Sequence, residues 1–157
     1  MSLLVALLVA IDPGVNGGLA LMDQEGLVTV QKMPGTEHEV ISFLVEVSNT
    51  AKEIDCYLEE PPLFVGKAIP GSAVGKMMWN CGILYGCAVT LGWKMHRVRP
   101  AIWMKTHPVG TKGDRSTTQW KNVLKSRAAE LFPTVDVTLW NADALLILDA
   151  ARRGAIN

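Results

Sequence analysis

The pattern of apolar and polar positions at the start of the chain predicts three strands. Residues 3–11 form an unbroken apolar run, which is typical of a strand buried on both faces of a sheet. The run ends at Asp12, and three glycines follow within six positions before apolar residues resume at 19–22. The two segments predict a hairpin, and the alternating residues 26–33 predict a third strand. Asp12 either starts an ordinary Asp-Pro-Gly turn or has a functional role.

The next segment predicts a helix followed by a strand. Residues 37–52 carry apolar side chains at helical spacing, with Thr36 as a possible cap. A strand then begins at Ile54 and ends in two acids, Glu59 and Glu60. A helical crossover favours a parallel arrangement of the strands that it joins. If the first strand is that neighbour, one of these glutamates lies close to the acid that ends it.

A segment with almost no charge follows. Residues 63–76 predict a glycine-containing loop, and residues 77–92 predict an apolar helix. Such a helix is either fully buried or shares a face with a second subunit, and the sequence leaves both alternatives open.

The last part of the chain predicts one more strand and three helices. The strand covers residues 93–98, and a short helix with Pro100 in its first turn follows it. After a polar, basic loop, Ser116 or Thr117 can cap a helix at 119–131. Residues 135–139 are a short connection or an edge strand, and Asn141 is a possible cap for a last helix at 142–153. These elements predict an α/β protein with a mixed sheet.

Length and composition are consistent with one compact domain over residues 1–157. The chain is 49% hydrophobic, which provides for a substantial core. The three cysteines have no CxxC spacing, so we expect reduced core thiols rather than a disulfide frame or a zinc knuckle. The apolar start is too short to span a bilayer and lacks a basic leader, so we expect a cytoplasmic protein without membrane contact.

The net charge is zero, but the two parts of the chain have opposite signs. Up to Glu60 there are two basic and ten acidic residues, whereas from Pro61 on there are thirteen basic and five acidic residues. Phosphates favour local basic surface whatever the total charge, so this asymmetry indicates nucleic-acid contact. Ordinary solvated helix faces are the alternative.

A third acid lies at the start of the last predicted helix. Asp143 is followed by a strongly apolar run, so this helix is expected to pack flat on the sheet and to bring its first turn towards a strand end. Three carboxylates would then converge and repel unless a cation held them. A site with oxygen ligands alone favours Mg²⁺ or Mn²⁺ over zinc. Two such ions about 4 Å apart are a common device for phosphodiester cleavage. A favourable helix-dipole interaction is the simpler explanation of Asp143.

Four motifs in order resemble one family. They are Ile-Asp-Pro-Gly, Leu-Glu-Glu-Pro, Val-Gly with a basic loop, and Ala-Asp-Ala-Leu-Leu-Ile. Together they resemble the RuvC-type Holliday junction resolvases of the RNase H-like superfamily, especially small phage-borne relatives, over nearly the whole chain. The resemblance implies an RNase H-like fold with a mixed five-stranded sheet flanked by helices. It also implies a homodimeric, magnesium-dependent endonuclease, without a small-molecule cofactor, that nicks four-way DNA junctions symmetrically in a bacterial or phage-infected cell.

The resemblance also assigns residues to the site. Asp12 matches the family's first-strand acid, Glu59 its second-strand acid, and Asp143 the acid that opens the last helix. Glu60 stands where the bacterial enzymes have Gln and is the alternative second-strand ligand. Trp140 stands at a fourth position where those enzymes have an acid or His, so a second metal lacks that side chain here.

Basic and aromatic residues in two loops and one helix are candidates for DNA contact. In the family that the chain resembles, the loop after the second acid carries residues that enter the junction centre. A Lys or Arg near the scissile phosphate could stabilise the charge that develops there. Solvated loop charge is an equally good explanation of Lys67, as is local core packing for Phe64. The candidates are Phe64, Lys67, Lys76, Lys112, Arg115 and Lys121.

Three other functions compete with junction cleavage. A nuclease on the same fold could act on RNA, as YqgF-like relatives are thought to do, because fold alone does not decide the substrate. A junction-binding protein without catalysis is consistent with Trp140 at the fourth position. A fragment of an actin-like or sugar-kinase protein is disfavoured because the chain is far too short for two such domains.

Overall fold

The computed structural model describes residues 4–62 and 69–157, apart from the side chain of Leu4. The elements in chain order are β1 Leu4–Ile11, β2 Gly18–Asp23, β3 Val28–Lys32, α1 Glu37–Ser48, β4 Ala51–Glu59, α2 Gly71–Thr90, β5 Lys94–Val98, α3 Pro100–Met104, α4 Thr117–Leu131 and α5 Ala142–Arg152. The five strands form one sheet in the order β3-β2-β1-β4-β5. The expected mixed five-stranded sheet flanked by helices is confirmed.

The register of the sheet brings two strand ends to one edge. β1 pairs antiparallel with β2, and Ile11 lies opposite Leu19, so the predicted hairpin is confirmed. β1 pairs parallel with β4, and Ile11 lies opposite Leu58. The next residues, Asp12 and Glu59, therefore leave neighbouring strands at the same edge of the sheet.

Two helical layers cover the sheet. Alternate residues of β1 and β4 point to opposite faces. Val9, Ile11 and Leu58 pack with α1 and α2, whereas Ala10 and Tyr57 pack with α4 and α5. This alternation explains why the central strand is apolar at every position, because both of its faces are covered.

α5 lies flat on the centre of the sheet, as its sequence predicts. Leu145, Leu146, Ile147 and Leu148 are completely buried. The sheet residue Ala10, like Ala20 of β2, belongs to the same core, and small side chains there let the helix backbone approach the strands closely. Each fully buried leucine or isoleucine contributes about 1.5–3 kcal/mol through removal of apolar surface from water. α5 is therefore held firmly over β1 and β2.

Capping side chains fix several helix starts. Thr36 forms a capping box with Glu39 at α1, and Ser116 forms one with Gln119 at α4. Asn141 stands at the N-cap position of α5, but its side chain accepts a hydrogen bond from the Thr138 N–H and donates one to the carbonyl of Asp136. Asn141 thus stabilises the connection before α5 through two side-chain hydrogen bonds.

Two predicted boundaries differ from the structure, and one open alternative is decided by it. The helix predicted over 37–52 ends at Ser48, because Ala51 already pairs with β1. The helix predicted over 77–92 begins at Gly71, directly after Pro70, so part of the predicted loop is helical despite its glycines. Residues 135–139 form an irregular connection, the first of the two alternatives. The remaining loop residues 63–68 lie outside the described residues.

The helix α2 is not fully buried, so the first of the two alternatives predicted for this apolar helix is wrong. Leu84 and Ala88 are its buried residues, whereas Met78, Tyr85 and Val89 are exposed. In the described ranges, no helix combines the length and apolarity needed to cross a membrane. The exposed apolar face is consistent with the second alternative, a shared subunit face, which stays a prediction.

Candidate active site

Asp12 occupies a tight turn at the end of β1. The N–H of Gly14 donates to Oδ1 of Asp12 at 3.1 Å, and the N–H of Asp12 donates to the carbonyl of Gly18 at 3.0 Å. A Cβ added at Gly17 would lie 2.6 Å from Cγ of Asp12, closer than van der Waals contact permits. The glycine at this position therefore lets the turn fold directly against the carboxylate. Burial raises the pKa of Asp12, although the Gly14 hydrogen bond and the charge of Lys121 oppose the shift.

Glu59 ends β4 beside Asp12. Burial raises its pKa to about 8, and the negative charges of Asp12 and Asp143 add to the shift. The indole N–H of Trp103 donates to Oε2 of Glu59 at 2.6 Å and lowers the pKa. Repulsion by two other acids shows that the three carboxylates share one region.

Asp143 reaches the same region from the first turn of α5. Burial raises its pKa to about 7, with a further contribution from Asp12, while the charge of Lys121 lowers it. The structure therefore brings together the three acids at the ends of β1 and β4 and the start of α5. The convergence follows from the parallel β1–β4 pair and from the close packing of α5 on the sheet.

The donor set fits a hard divalent cation. Three half-buried carboxylates with raised pKa values carry charges that a cation would stabilise. Within residues 4–62 and 69–157, however, no group of three His, Cys, Asp or Glu side chains is placed so that it could hold a metal ion by itself. Mg²⁺ does not require three protein ligands, because it commonly keeps several waters and binds one or two carboxylates together with substrate phosphates.

Glu60, the alternative second-strand ligand, has other partners. Its Oε1 lies 3.2 Å from Nε of Arg97, and its Oε2 lies 3.4 Å from Nε of Arg99. The two oxygens are thus engaged by arginines at and after the end of β5. The geometry favours Glu59 over Glu60 as the partner of Asp12.

Trp140 packs against the start of β2. A Cβ added at Gly18 would lie 2.7 Å from Cε3 of the Trp140 ring, so ring and glycine are in close contact. The side chain is half-buried. At the position where the resembled bacterial enzymes carry an acid or His, this chain thus has the aromatic ring of Trp140 beside the Asp12 turn.

Three of the basic candidates lie on α4 or in the loop before it. Lys121 on α4 is close enough to lower the pKa values of Asp12 and Asp143. Lys112 and Arg115 are exposed in the loop before α4, where they bond to Oγ1 of Thr117 and the carbonyl of Thr111. The structure thus brings Lys121, rather than the loop cations, to the carboxylates.

The remaining candidates for DNA contact lie on the α2 side of the site or outside the described residues. Lys76 lines a groove of about 520 Å³ together with Val15 and Trp79. This groove borders the Asp12 turn, since Nδ2 of Asn80 donates to the carbonyl of Pro13 at 2.7 Å. Phe64 and Lys67 lie outside the described residues.

Sequence reasoning missed Trp103. This residue lies on α3, the short helix after β5, and is completely buried. The available signal was a tryptophan just beyond a strand that ends at the same edge as β4. A buried indole needs an acceptor, but this signal does not show that α3 turns the indole towards Glu59, which the sequence had already assigned to the site.

Comparison with solved structures identifies the fold. A Thermus thermophilus RuvC structure is similar over 95% of this chain and 97% of that chain, with a TM-score of 0.55 and 17% sequence identity. T. thermophilus RuvC in complex with Holliday junction substrate is similar over 96% of this chain and 97% of that chain, with a TM-score of 0.58 and 16% identity. No family model matches the chain, and a search of the curated proteins finds no match. The chain therefore has a RuvC-like fold, as the sequence motifs predict.

Proposed function

We propose that this protein is a magnesium-dependent endonuclease that resolves four-way DNA junctions. The observation that carries the proposal is the convergence of Asp12, Glu59 and Asp143 at one edge of a RuvC-like sheet. Four-way DNA is the proposed substrate because one structural neighbour is bound to a Holliday junction. That neighbour supports the substrate by fold likeness, and the carboxylates support the chemistry.

The residues of this site are suited to phosphodiester cleavage. Asp12, Glu59 and Asp143 would hold Mg²⁺, and Mn²⁺ suits the same oxygen donors. The bound ion supplies activation of water and stabilisation of the leaving oxygen. Lys121 contributes positive charge beside the carboxylates, where it can contact the scissile phosphate and stabilise charge that develops there.

Nucleic-acid contacts on both sides of the carboxylates would orient the junction. Lys112 and Arg115 offer exposed cations in the loop before α4, and Lys76 offers one in the groove beside the Asp12 turn. Contacts of this kind to phosphates fix the register of the DNA without reading its sequence. Phe64 and Lys67 are proposed to contact the junction on the resemblance alone.

A homodimer is part of the proposal, because two opposed strands must be nicked. The exposed face of α2 presents Met78, Tyr85 and Val89 beside Gly82 and Gly86. A Cβ added at either glycine would meet no atom within 4 Å among the described residues, so a second helix could approach closely there. We therefore place the dimer contact on this face.

The test uses labelled four-way junction, duplex DNA and an RNA hairpin, each with magnesium or with EDTA. Symmetric nicking of the junction alone, dependent on metal and lost in Asp12→Asn and Glu59→Gln, is the expected result. The matched control is Glu53→Gln, which makes the same change at an exposed position of β4. It should cut like the wild type.

Two other outcomes contradict the proposal in different ways. Binding of the junction without cutting under every metal would indicate a binding module, which Trp140 at the fourth position would explain. Cleavage of the RNA hairpin in preference to the junction would indicate a YqgF-like nuclease on the same fold.

A further inference from the structure

We propose that Trp103 is a positioning residue that fixes one carboxylate oxygen of Glu59 and presents the other to the cation. This inference rests on the proposed function, since it concerns the same metal site. It concerns a side chain on α3, which none of the four sequence motifs includes.

The hydrogen bond between the two residues is short, and its donor is buried. Nε1 of Trp103 lies 2.6 Å from Oε2 of Glu59, and the Trp103 side chain has no exposed surface. An indole N–H can only donate, and hydrogen bonds to carboxylates are stronger than those between neutral groups. The bond restricts rotation of the flexible Glu59 side chain, so Oε1 keeps a fixed direction.

A second contact ties this pair to the helix that carries Asp143. The rings of Trp103 and His107 meet edge to face, with centroids 6.3 Å apart and planes inclined by 73°. Nε2 of His107 lies 2.9 Å from the carbonyl of Leu146, and because a carbonyl only accepts, that nitrogen donates. Leu146 stands three residues after Asp143, on the same helix. Trp103 and His107 thus connect Glu59 of β4 with α5, the helix that carries Asp143.

This arrangement differs from simple core packing of a tryptophan. A buried indole needs one acceptor, and any carbonyl or enclosed water would satisfy it. Here the acceptor is the Glu59 carboxylate, whose charge the neighbouring acids oppose. Residues that hydrogen-bond to metal ligands typically change metal affinity or activity 10–100-fold when they are removed. Metal affinity therefore separates a positioning role from a packing role.

The experiment measures Mn²⁺ binding to the full chain by isothermal titration calorimetry. Trp103→Phe keeps an aromatic ring but removes the donor, and we expect its Mn²⁺ affinity to fall by about 10-fold or more. The matched control is Trp120→Phe, which makes the same change in the same buried cluster. It should bind Mn²⁺ within about twofold of the wild type, because only the donor to Glu59 is expected to matter.

A second measurement leaves the chain unaltered, so it holds even if Trp103→Phe fails to fold. Magnesium is titrated into protein with ¹⁵N-labelled tryptophan, and the indole resonances are followed by NMR. The Trp103 resonance should shift with saturation, whereas that of Trp120 should stay in place. A Trp103 resonance that does not respond to saturating magnesium would overturn the proposal.

The outcomes also distinguish this inference from the proposed function. If the wild type binds Mn²⁺ and cuts junctions while Trp103→Phe binds Mn²⁺ equally well, the positioning role alone is wrong. If the wild type neither binds Mn²⁺ nor cuts junctions, the proposed function is wrong and the positioning role fails with it.

Discussion

The helices α2 and α5 show that low charge does not by itself bury a helix. α2 contains one charged residue, Lys76, yet much of its apolar face is exposed. α5 contains three, Asp143, Asp149 and Arg152, yet eight of its residues are buried. α5 covers the centre of the sheet, whereas α2 packs on α1 and on the strand β5 at the sheet edge. Position on the sheet decides burial, and the uncovered apolar surface of α2 is the face on which the dimer contact is proposed.

The largest expected effect is on stability. Leu146→Ala in α5 removes a completely buried side chain and should lower the free energy of unfolding by about 2–5 kcal/mol. Met78→Ala in α2, where the side chain is 52% exposed, should change it by less than about 0.5 kcal/mol in the monomer. Urea unfolding at low protein concentration measures both. Equal losses in the two variants would contradict the difference between the helices.

The next effect concerns association through α2. Val89→Glu puts a charge on the exposed apolar face and should weaken a homodimer at least 10-fold, which is about 1.4 kcal/mol. Analytical ultracentrifugation measures the dissociation constant. Val45→Glu, the same substitution at an exposed position of α1, is the control and should leave association unchanged. A wild type that stays monomeric at every concentration would contradict the dimer.

A smaller effect should separate the two sides of the site. Lys121→Gln on α4 removes the cation beside Asp12 and should slow cutting about 10-fold by loss of charge stabilisation. Lys76→Gln in the α2 groove should weaken junction binding a few-fold and reduce the salt slope by about one, with the cutting rate of the bound junction unchanged. Single-turnover cutting and filter binding at several salt concentrations measure the two quantities. Identical profiles for both variants would contradict this division.

The smallest effect is a pH dependence of stability on the α5 side. Hydrogen bonds from Arg153 and Arg152 overcome desolvation and hold the pKa of Asp149 below its ordinary value, whereas burial lowers the pKa of His107. Nδ1 of His107 faces Asp149 at 3.9 Å, and the charges of Arg153 and Arg127 also act on the ring.

The two pKa shifts make the folding stability depend on pH in the same direction. The unfolded chain binds more protons than the folded one below the ordinary pKa of each group. The contribution of these two groups is therefore complete above about pH 6.5, the ordinary pKa of histidine, and should fall as the pH is lowered, whereas the raised pKa values of Glu59 and Asp143 act in the opposite direction. The His107 contribution declines first and the Asp149 contribution below about pH 4. Urea midpoints of the wild type and of His107→Gln between pH 7.5 and 3.5 check this, because Glu59 and Asp143 act equally in both proteins. The stability of the wild type relative to the variant should fall below about pH 6.5, and a difference that does not change with pH would contradict the assignment.

The sheet and most helices could be predicted because their signals are local. The unbroken run of β1 and the caps at Thr36 and Ser116 follow from side-chain period and hydrogen-bonding chemistry. The start of α2 at Gly71 could not be predicted, because tertiary contacts with α1 outweigh the low helix propensity of glycine. Whether α2 is covered depends on its place over the sheet, which no local period encodes.

The candidate site was predictable as a set of acids but not in its detail. The parallel β1–β4 pair could be anticipated from the crossover helix, and it places Asp12 beside the end of β4. The resemblance favoured Glu59 over Glu60, and the contacts of Glu60 with Arg97 in β5 and with Arg99 after it support that choice. The donation from Trp103 depends on how α3 turns after that strand, so the sequence alone could not reveal it.

The contact between Gly18 and Trp140 makes the tryptophan dependent on the glycine, which decides how the site could be engineered. Any side chain at position 18 collides with the ring and with the backbone carbonyl of Gln31, so Gly18→Ala should be disfavoured. A smaller residue at position 140 would remove only the first collision. An acid or His could therefore be installed at position 140 with Gly18 left in place, whereas Gly18 cannot be exchanged whatever residue stands at position 140.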